Sequence, residues 1–265
     1  DFYLKESPSS ARLVWGHLVD GEWVTETILK LPYLHRFDLW DVEGEIYFIG
    51  ATIADLKDNK EDWSRPGTIY YGKLPDVLTD GIELEVLKTG LFRNHGYSSH
   101  IVDGKIHGTF GCDQGVFEVV PMKNEQWQIN CILEKSVGEI AWCDIDNDGI
   151  DEMMTIEPFH GNSMKIYKLT EGKYSEIYSY PYEIDFAHTL VGTKLCGEPV
   201  FVGGVRRKEA ELFMIQYIDG KCKETIIEKG VGPANIHVIN LDDCDLIVSA
   251  NHTDNKAAVY TVRKE

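Results

Sequence analysis

Residues 210–230 read AELFMIQYIDGKCKETIIEKG, and residues 11–31 read ARLVWGHLVDGEWVTETILKL. Both stretches consist of a run of β-forming residues, an Asp-Gly pair and a second β-forming run. An Asp-Gly pair between two such runs is a strong signal for a β-hairpin, because the short turn needs positive φ angles that these residues tolerate. The two stretches therefore predict two hairpins of the same kind.

The hairpin pattern recurs three more times, and a second pattern lies between the copies. Residues 163–181 have Glu-Gly at the turn, residues 115–135 have a looser turn, and residues 67–90 contain a longer insertion. The second pattern is a short strand, a polar turn and a strand ending in small residues. It occurs at 34–52, 99–111, 138–158, 187–205 and 235–251. One unit therefore has about four strands over about 45 residues.

The unit size predicts an all-β fold, a β-propeller of four-stranded antiparallel blades, as a single domain over residues 1–265. The last unit offers only three strands, and the opening DFYLKES resembles DLIVSANH at 245–252. The N-terminal strands could complete the last blade, which gives the preferred count of five blades. A sixth blade without its innermost strand is the alternative, and an open β-sandwich is the structural rival.

Charge and composition limit the partners. The net charge is −18 at pH 7, and such a chain repels phosphate backbones, so no nucleic-acid partner is expected. The longest apolar runs, such as 198–205, are too short to cross a bilayer, so no membrane partner is expected either. We predict a small-molecule or oligosaccharide ligand. Six scattered cysteines without a Cys-x-x-Cys pair argue against structural zinc and favour a reducing, cytoplasmic location.

One turn carries a recognisable motif. Residues 144–152 read DIDNDGIDE, and this turn resembles the calcium loop of FG-GAP and VCBS repeats, which form propeller blades. The resemblance implies a structural calcium ion, with a carbonyl oxygen from Ile150 and oxygen ligands of the kind that calcium prefers. The implied side-chain ligands are Asp144, Asp146, Asp148 and Glu152. The alternative is a polar turn whose aspartates bind backbone groups. A looser resemblance extends to propeller sugar lyases of the aldos-2-ulose dehydratase kind.

Histidines occur at the start of the predicted inner strand in four of the five units. They are His35, His100, His188 and His237. Inner strands of a propeller line a central channel, so we expect these imidazoles to face one axis. Neutral imidazoles from several strands suit a divalent metal ion or acid–base chemistry. We predict that the four histidines bind a divalent metal ion. The alternative is a set of buried histidines copied by duplication.

The loops between the second and third strands carry the remaining candidates. The first of them, at 51–67, is long and polar, and long loops in compact repeats are often functional. The predicted substrate-binding residues are Trp63, Lys57 and Asn251. The predicted catalytic residues are His95, which lies just upstream of His100, and the loop residues His160, His252, Arg206, Arg207, Glu157 and Asp62. Trp63 could instead pin its own loop, and the two arginines could pair with Glu209.

These residues predict a carbohydrate-active enzyme, specifically a metal-assisted lyase or dehydratase. The metal would polarise an oxygen of the substrate, a histidine would move the proton, and an arginine would stabilise negative charge. One alternative is a glycoside hydrolase with paired carboxylates, such as Asp62 and Glu157. Another is a non-catalytic propeller that binds sugars or proteins. The loop residues differ between units, which favours one asymmetric site.

Overall fold

A computed structural model describes residues 10–123 and 125–264. Within these ranges the chain is built from strands and turns, with a single 3-10 turn at Leu78–Asp80 as the only helical element longer than one residue. The described residues contain no helix with the length and apolar character needed to cross a membrane. The all-β class predicted from the repeats is confirmed.

Twenty-one strands are described. They are β1 (Arg12–Val19), β2 (Glu22–Lys30), β3 (Leu34–Val42), β4 (Glu45–Thr52), β5 (Gly67–Lys73), β6 (Glu85–Leu91), β7 (Gly96–Val102), β8 (Lys105–Cys112), β9 (Gly115–Val120), β10 (Gln128–Leu133), β11 (Glu139–Cys143), β12 (Glu152–Glu157), β13 (Ser163–Thr170), β14 (Lys173–Ser179), β15 (Ala187–Leu195), β16 (Glu198–Val205), β17 (Leu212–Ile218), β18 (Lys221–Glu228), β19 (Pro233–Asn240), β20 (Asp245–Asn251) and β21 (Lys256–Val262).

Strands that follow one another in the chain lie side by side in the sheets. The sheets are β1-β2, β3-β4-β5-β6, β7-β8-β9-β10, β11-β12-β13-β14, β15-β16-β17-β18 and β19-β20-β21. The predicted hairpins and the predicted pairs between them therefore correspond to adjacent strands. Their turns close because a two-residue hairpin needs positive φ at both central positions. Positive φ is found at Asp20, Gly21, Glu171, Gly172, Asp219 and Gly220.

The preferred count of five units is wrong, because the described residues form six sheets. The extra sheet is the hairpin of β1 and β2, which pair from Arg12 with Lys30 to Val19 with Glu22. It does not add to β19-β20-β21, which remains three-stranded in the described part of the chain. The segment DFYLKES, expected to complete a blade, lies outside the described residues.

The described chain divides into two compact units. The first contains residues up to 97 and residues 101–131, and the second contains residues 98–100 and 132–264. In the first unit, the rings of Trp40 and Tyr71 stack on Trp127 at 5.4 and 4.4 Å between centroids. In the second, Phe201 and Phe213 are fully buried in one apolar cluster. Each unit therefore has its own apolar core. The single-domain organisation stays a prediction.

Candidate functional site

Imidazole, guanidinium and phenyl side chains gather in the second unit. We call this group the His160 cluster. It consists of Phe159, His160, Phe186, His188, Arg206 and Arg207. Backbone hydrogen bonds join two of the segments that carry it, since the N–H groups of Arg206 and Arg207 donate to Phe186 and Asp185 at 2.9 and 3.2 Å. The cluster therefore rests on fixed backbone as well as on side-chain contacts.

His160 lies in the tight turn between β12 and β13. Its φ is +47°, in the left-handed region that residues with a side chain rarely adopt. The next residue is Gly161, where a Cβ atom would collide with the carbonyl group of Glu157. The turn thus closes only because glycine follows the histidine.

The two imidazoles of the cluster lie close together. The ring of His160 lies 4.9 Å from the ring of His188 and 4.4 Å from that of Phe186, between centroids. Nδ1 of His188 lies 2.7 Å from the carbonyl oxygen of Ala234. A carbonyl oxygen only accepts, so Nδ1 of His188 carries the proton, and Nε2 of the neutral ring has the lone pair. His188 thus has the tautomer of a base or metal ligand at Nε2.

The two arginines bring positive charge to the same ring. The guanidinium carbons of Arg206 and Arg207 lie 4.9 and 4.4 Å from the ring centroid of Phe186. The side chain of Arg207 is exposed and lies 3.6 Å from Asp185. The pairing with Glu209 that was an alternative is not the one found, since Glu209 pairs with Lys229 at 3.0 Å. Two guanidinium groups on one ring give an acidic chain a local attraction for anions.

Glu157 and Asn251 are engaged within their own sheets. Glu157 accepts hydrogen bonds from the hydroxyls of Tyr167 and Thr155 at 2.6 and 2.9 Å. Burial and the contact with Glu157 raise the pKa of Tyr167. Asn251 is buried, accepts from Ser249 at 2.6 Å and donates to a tyrosine hydroxyl. Both side chains therefore have structural roles in the sheets.

The other predicted histidines of the second unit have different neighbours. His100 stacks on Trp142 at 4.1 Å, and its Nδ1 lies 3.3 Å from Asp151. His237 and His252 are exposed, on β19 and in the turn after β20. The structure thus brings His188 together with His160, which was predicted for proton transfer, and places His100 beside Trp142 and Asp151. The metal prediction stays a prediction.

In the first unit the long loop between β4 and β5 packs against itself. Nζ of Lys57 lies 3.1 Å from the ring centroid of Trp63, and the Lys57 side chain is fully buried. Burial lowers the pKa of Lys57. The ammonium group covers one face of the ring that was predicted to stack on a sugar. This contact matches the alternative in which Trp63 pins its own loop.

Asp62 and the first-unit histidines are also held locally. Asp62 accepts backbone N–H groups from Asp58 and Ser64, at 2.9 and 3.0 Å. These bonds, with one from the Ser64 hydroxyl, hold the pKa of Asp62 well below its usual range. The rings of His35 and His95 lie 4.6 Å apart, and His95 is buried. Asp62 therefore orders its loop, and the two histidines form a ring pair.

The acidic turn at 144–151 surrounds an ammonium group. Nζ of Lys168, on β13, lies 2.6 Å from Asp146 Oδ2 and 2.7 Å from both Asp148 Oδ2 and Glu152 Oε1. Glu152 is fully buried, and burial raises its pKa despite the lysine. Three of the four predicted calcium ligands thus contact an ammonium group of the protein itself.

Sequence reasoning missed Lys168 and Phe186. Neither belongs to a motif, and each acts through residues distant in the sequence. An available signal for Phe186 was its position directly before β15, one of the strands whose first residues carry candidate histidines. Lys168 stands in a strand with no acidic neighbour in the sequence, so the pattern gave no signal.

Comparison with known proteins adds information on the fold alone. No family model matches the chain, and no curated protein sequence matches it. A variant of AofleA from Arthrobotrys oligospora with three arginines replaced by alanine is similar with a TM-score of 0.56 at 10% identity, over 96% of this chain and 80% of that one. Sqt1 from Saccharomyces cerevisiae is similar with a TM-score of 0.55 at 9% identity, over 99% and 83% of the chains.

The allergen Mala s 1 from Malassezia sympodialis is similar with a TM-score of 0.50 at 9% identity, over 91% of this chain and 83% of that one. At such low identity the likeness concerns the fold and not the function. Together with the sheets, it defines a class: an all-β protein made of many small antiparallel sheets. The resemblance to FG-GAP and VCBS repeats and to sugar lyases finds no support in these comparisons.

Proposed function

We propose that this chain is a carbohydrate-active lyase and that the His160 cluster acts on a sugar that carries a carboxylate. The observation that carries the proposal is the placement of two imidazoles 4.9 Å apart beside a phenyl ring that two guanidinium groups also contact. Guanidinium groups are suited to bind carboxylates in two-point contacts. An acidic chain that binds an anion needs such a local concentration of positive charge.

The chemistry of elimination assigns a task to each group. A base removes the proton on the carbon next to the carboxylate, and the electron pair forms a double bond as the C–O bond to the leaving group breaks. His188, whose Nδ1 donates to Ala234, would take the proton at Nε2. His160 would give a proton to the leaving oxygen. Arg206 or Arg207 would stabilise the charge that develops on the carboxylate oxygens.

The test is an assay on polymers of uronic acids. The purified protein is mixed with polygalacturonate, alginate and a glycosaminoglycan, and the ultraviolet absorbance of the new double bond, conjugated to the carboxylate, is followed. We expect activity on one of these polymers and a loss of about 100-fold or more in His160→Ala and His188→Ala. His17→Ala is the matched control, since His17 stacks on Trp15 in β1 and belongs to no candidate site.

The other possible outcomes of this assay distinguish between the alternatives. Binding of a polymer without product would favour the non-catalytic alternative at the same cluster, provided that Arg206→Ala weakens the binding. Neither binding nor product with any acidic polymer would overturn the proposal. Activity that is unchanged in both histidine variants would move the site elsewhere.

The propeller arrangement and the metal ion are also proposals. Four successive four-stranded sheets, β3–β6, β7–β10, β11–β14 and β15–β18, support blades of a propeller. The lone pair at Nε2 of His188 could instead bind a metal ion, and His188 would then not be the base, because one lone pair cannot serve both roles. Elemental analysis of the purified protein tests the metal. We expect bound divalent metal in the wild type and less in His188→Ala, and metal-free wild-type protein would contradict the prediction.

A further inference from the structure

The turn between β11 and β12 is stabilised from within by its own backbone. Asp144 accepts the N–H groups of Asp148 and Gly149, both at 2.9 Å, one on each carboxylate oxygen. Asp148 accepts the N–H of Ile150 at 2.9 Å. These bonds fix the carboxylates at alternate positions of the turn.

One oxygen each of Asp146, Asp148 and Glu152 lies on a single ammonium group. Lys168 extends from β13, whose neighbouring residue Tyr167 is paired with Met153 of β12. Its Nζ atom lies within 2.7 Å of carboxylate oxygens from Asp146, Asp148 and Glu152. An ammonium group has three donor hydrogens, so these three contacts match its full capacity. Three charge-assisted contacts therefore hold the ammonium group, while Asp146 Oδ1 makes no hydrogen bond among the described residues.

Calcium does not fit this turn beside the lysine. The ion takes six to eight oxygens at about 2.3–2.6 Å, and the same three carboxylates already surround Nζ at hydrogen-bond distance. A calcium ion among these oxygens would lie next to a positive charge in a place where Glu152 is fully buried. Calcium binding at these oxygens would therefore require Nζ of Lys168 to move away from them.

We infer that Lys168 is the resident cation of this turn and makes the turn independent of calcium. Glu152 is 0% exposed and the Asp146 side chain is 15% exposed. Carboxylates with so little solvent need a partner charge. The lysine supplies that charge permanently, from a strand of the same sheet.

The experiment compares Lys168→Met with Lys165→Met by thermal unfolding, with added calcium or with a chelator. Lys165 is a matched control: it stands on the same strand, has nearly equal exposure, 22% against 23%, and pairs with the carboxylate of Glu176 at 2.7 Å. We expect the Tm of the wild type to be the same with calcium and with chelator. We expect Lys168→Met to lose roughly 5–10 °C and Lys165→Met to lose much less. Calcium should restore part of the loss in Lys168→Met alone, and magnesium at the same concentration controls for ionic strength.

Two results would overturn the inference. One is a saturable rise in the wild-type Tm with calcium that disappears in Asp144→Asn, because this would place the ion in the turn. The other is a Lys168→Met protein as stable as Lys165→Met. If Lys168→Met does not fold, the wild-type titration still decides whether the turn takes calcium, and Lys168→Arg, which keeps the charge, should fold and remain unaffected by calcium.

Discussion

Lys168 in the second unit and Lys57 in the first both have little access to water. They differ in the partners that stabilise their ammonium groups. Lys168 has three carboxylate partners within 2.7 Å. Lys57 is fully buried against the face of Trp63, and its Nζ has no hydrogen-bond acceptor among the residues that the structure describes. The first ammonium neutralises buried negative charge, and the second is only partly compensated by an aromatic ring.

The contrast between the two lysines indicates which buried charge stabilises the fold. Removing Lys168 would leave the buried Glu152 and the partly buried Asp146 without a partner charge, which is costly. Removing the charge of Lys57 leaves no buried partner of opposite sign within hydrogen-bond distance of Nζ. We therefore expect opposite signs for the same substitution at the two positions.

The largest expected effect is at Lys168. Lys168→Met should lower the free energy of unfolding by about 3 kcal/mol, because the buried carboxylates lose their partner. Urea denaturation measures this change. Adding Glu152→Gln to the variant should recover part of the loss, which a double-mutant cycle reports as coupling. Independent, additive losses would contradict the ion-pair explanation.

A smaller effect of opposite sign is expected at Lys57. Lys57→Met should raise the free energy of unfolding by about 1 kcal/mol, because relief of the buried charge outweighs the lost contact with Trp63. The same urea experiment measures it, with Lys60→Met, an exposed lysine of the same loop, as the control. If Lys57→Met instead lowered the free energy of unfolding as much as Lys168→Met does, the two lysines would not differ in their contribution to stability.

The smallest effect that we expect is a pH dependence of the difference in unfolding free energy between Lys57→Met and the wild type. Burial lowers the pKa of Lys57 below its ordinary value of 10.5, so the unfolded chain binds the proton more tightly than the folded chain. The free energy of unfolding of the wild type should therefore rise as the pH increases from the lowered pKa to 10.5, because the folded lysine is neutral there and the unfolded one is still protonated. Below that window the penalty is present in full. The advantage of Lys57→Met should be largest at neutral pH and shrink toward pH 10.5, and a constant advantage would exclude this cause.

Much of the fold could be predicted because its signals are local. The Asp-Gly and Glu-Gly pairs set the hairpins, and the strands appear where alternation and β-forming residues indicated them. The count of five failed because β1 and β2 pair only with each other in the described chain, instead of extending the sheet of β19–β21. The sheet that each hairpin joins depends on contacts between distant segments, and the repeat pattern does not predict these contacts.

The candidate sites were predicted in part for the same reason. His160, His188 and the two arginines were selected from their places in the repeat, whereas Phe186, which links them, was not. The acidic turn was visible as a motif, but its cation was not. Trp63 was predicted to stack on a sugar, but in the structure the ammonium group of Lys57 covers one face of its ring.

Local sequence preferences account for the turns, the strands and the acidic loop, because φ preferences and side-chain alternation act over a few residues. The partners of the charged groups, in contrast, depend on the packing of segments that are distant in the sequence. Lys168 meets Asp146 because the register of β12 and β13 brings together residues that are 22 positions apart. Electrostatic and packing energies depend on such distances in space, so the same acidic motif could have held a metal ion or, as here, an ammonium group.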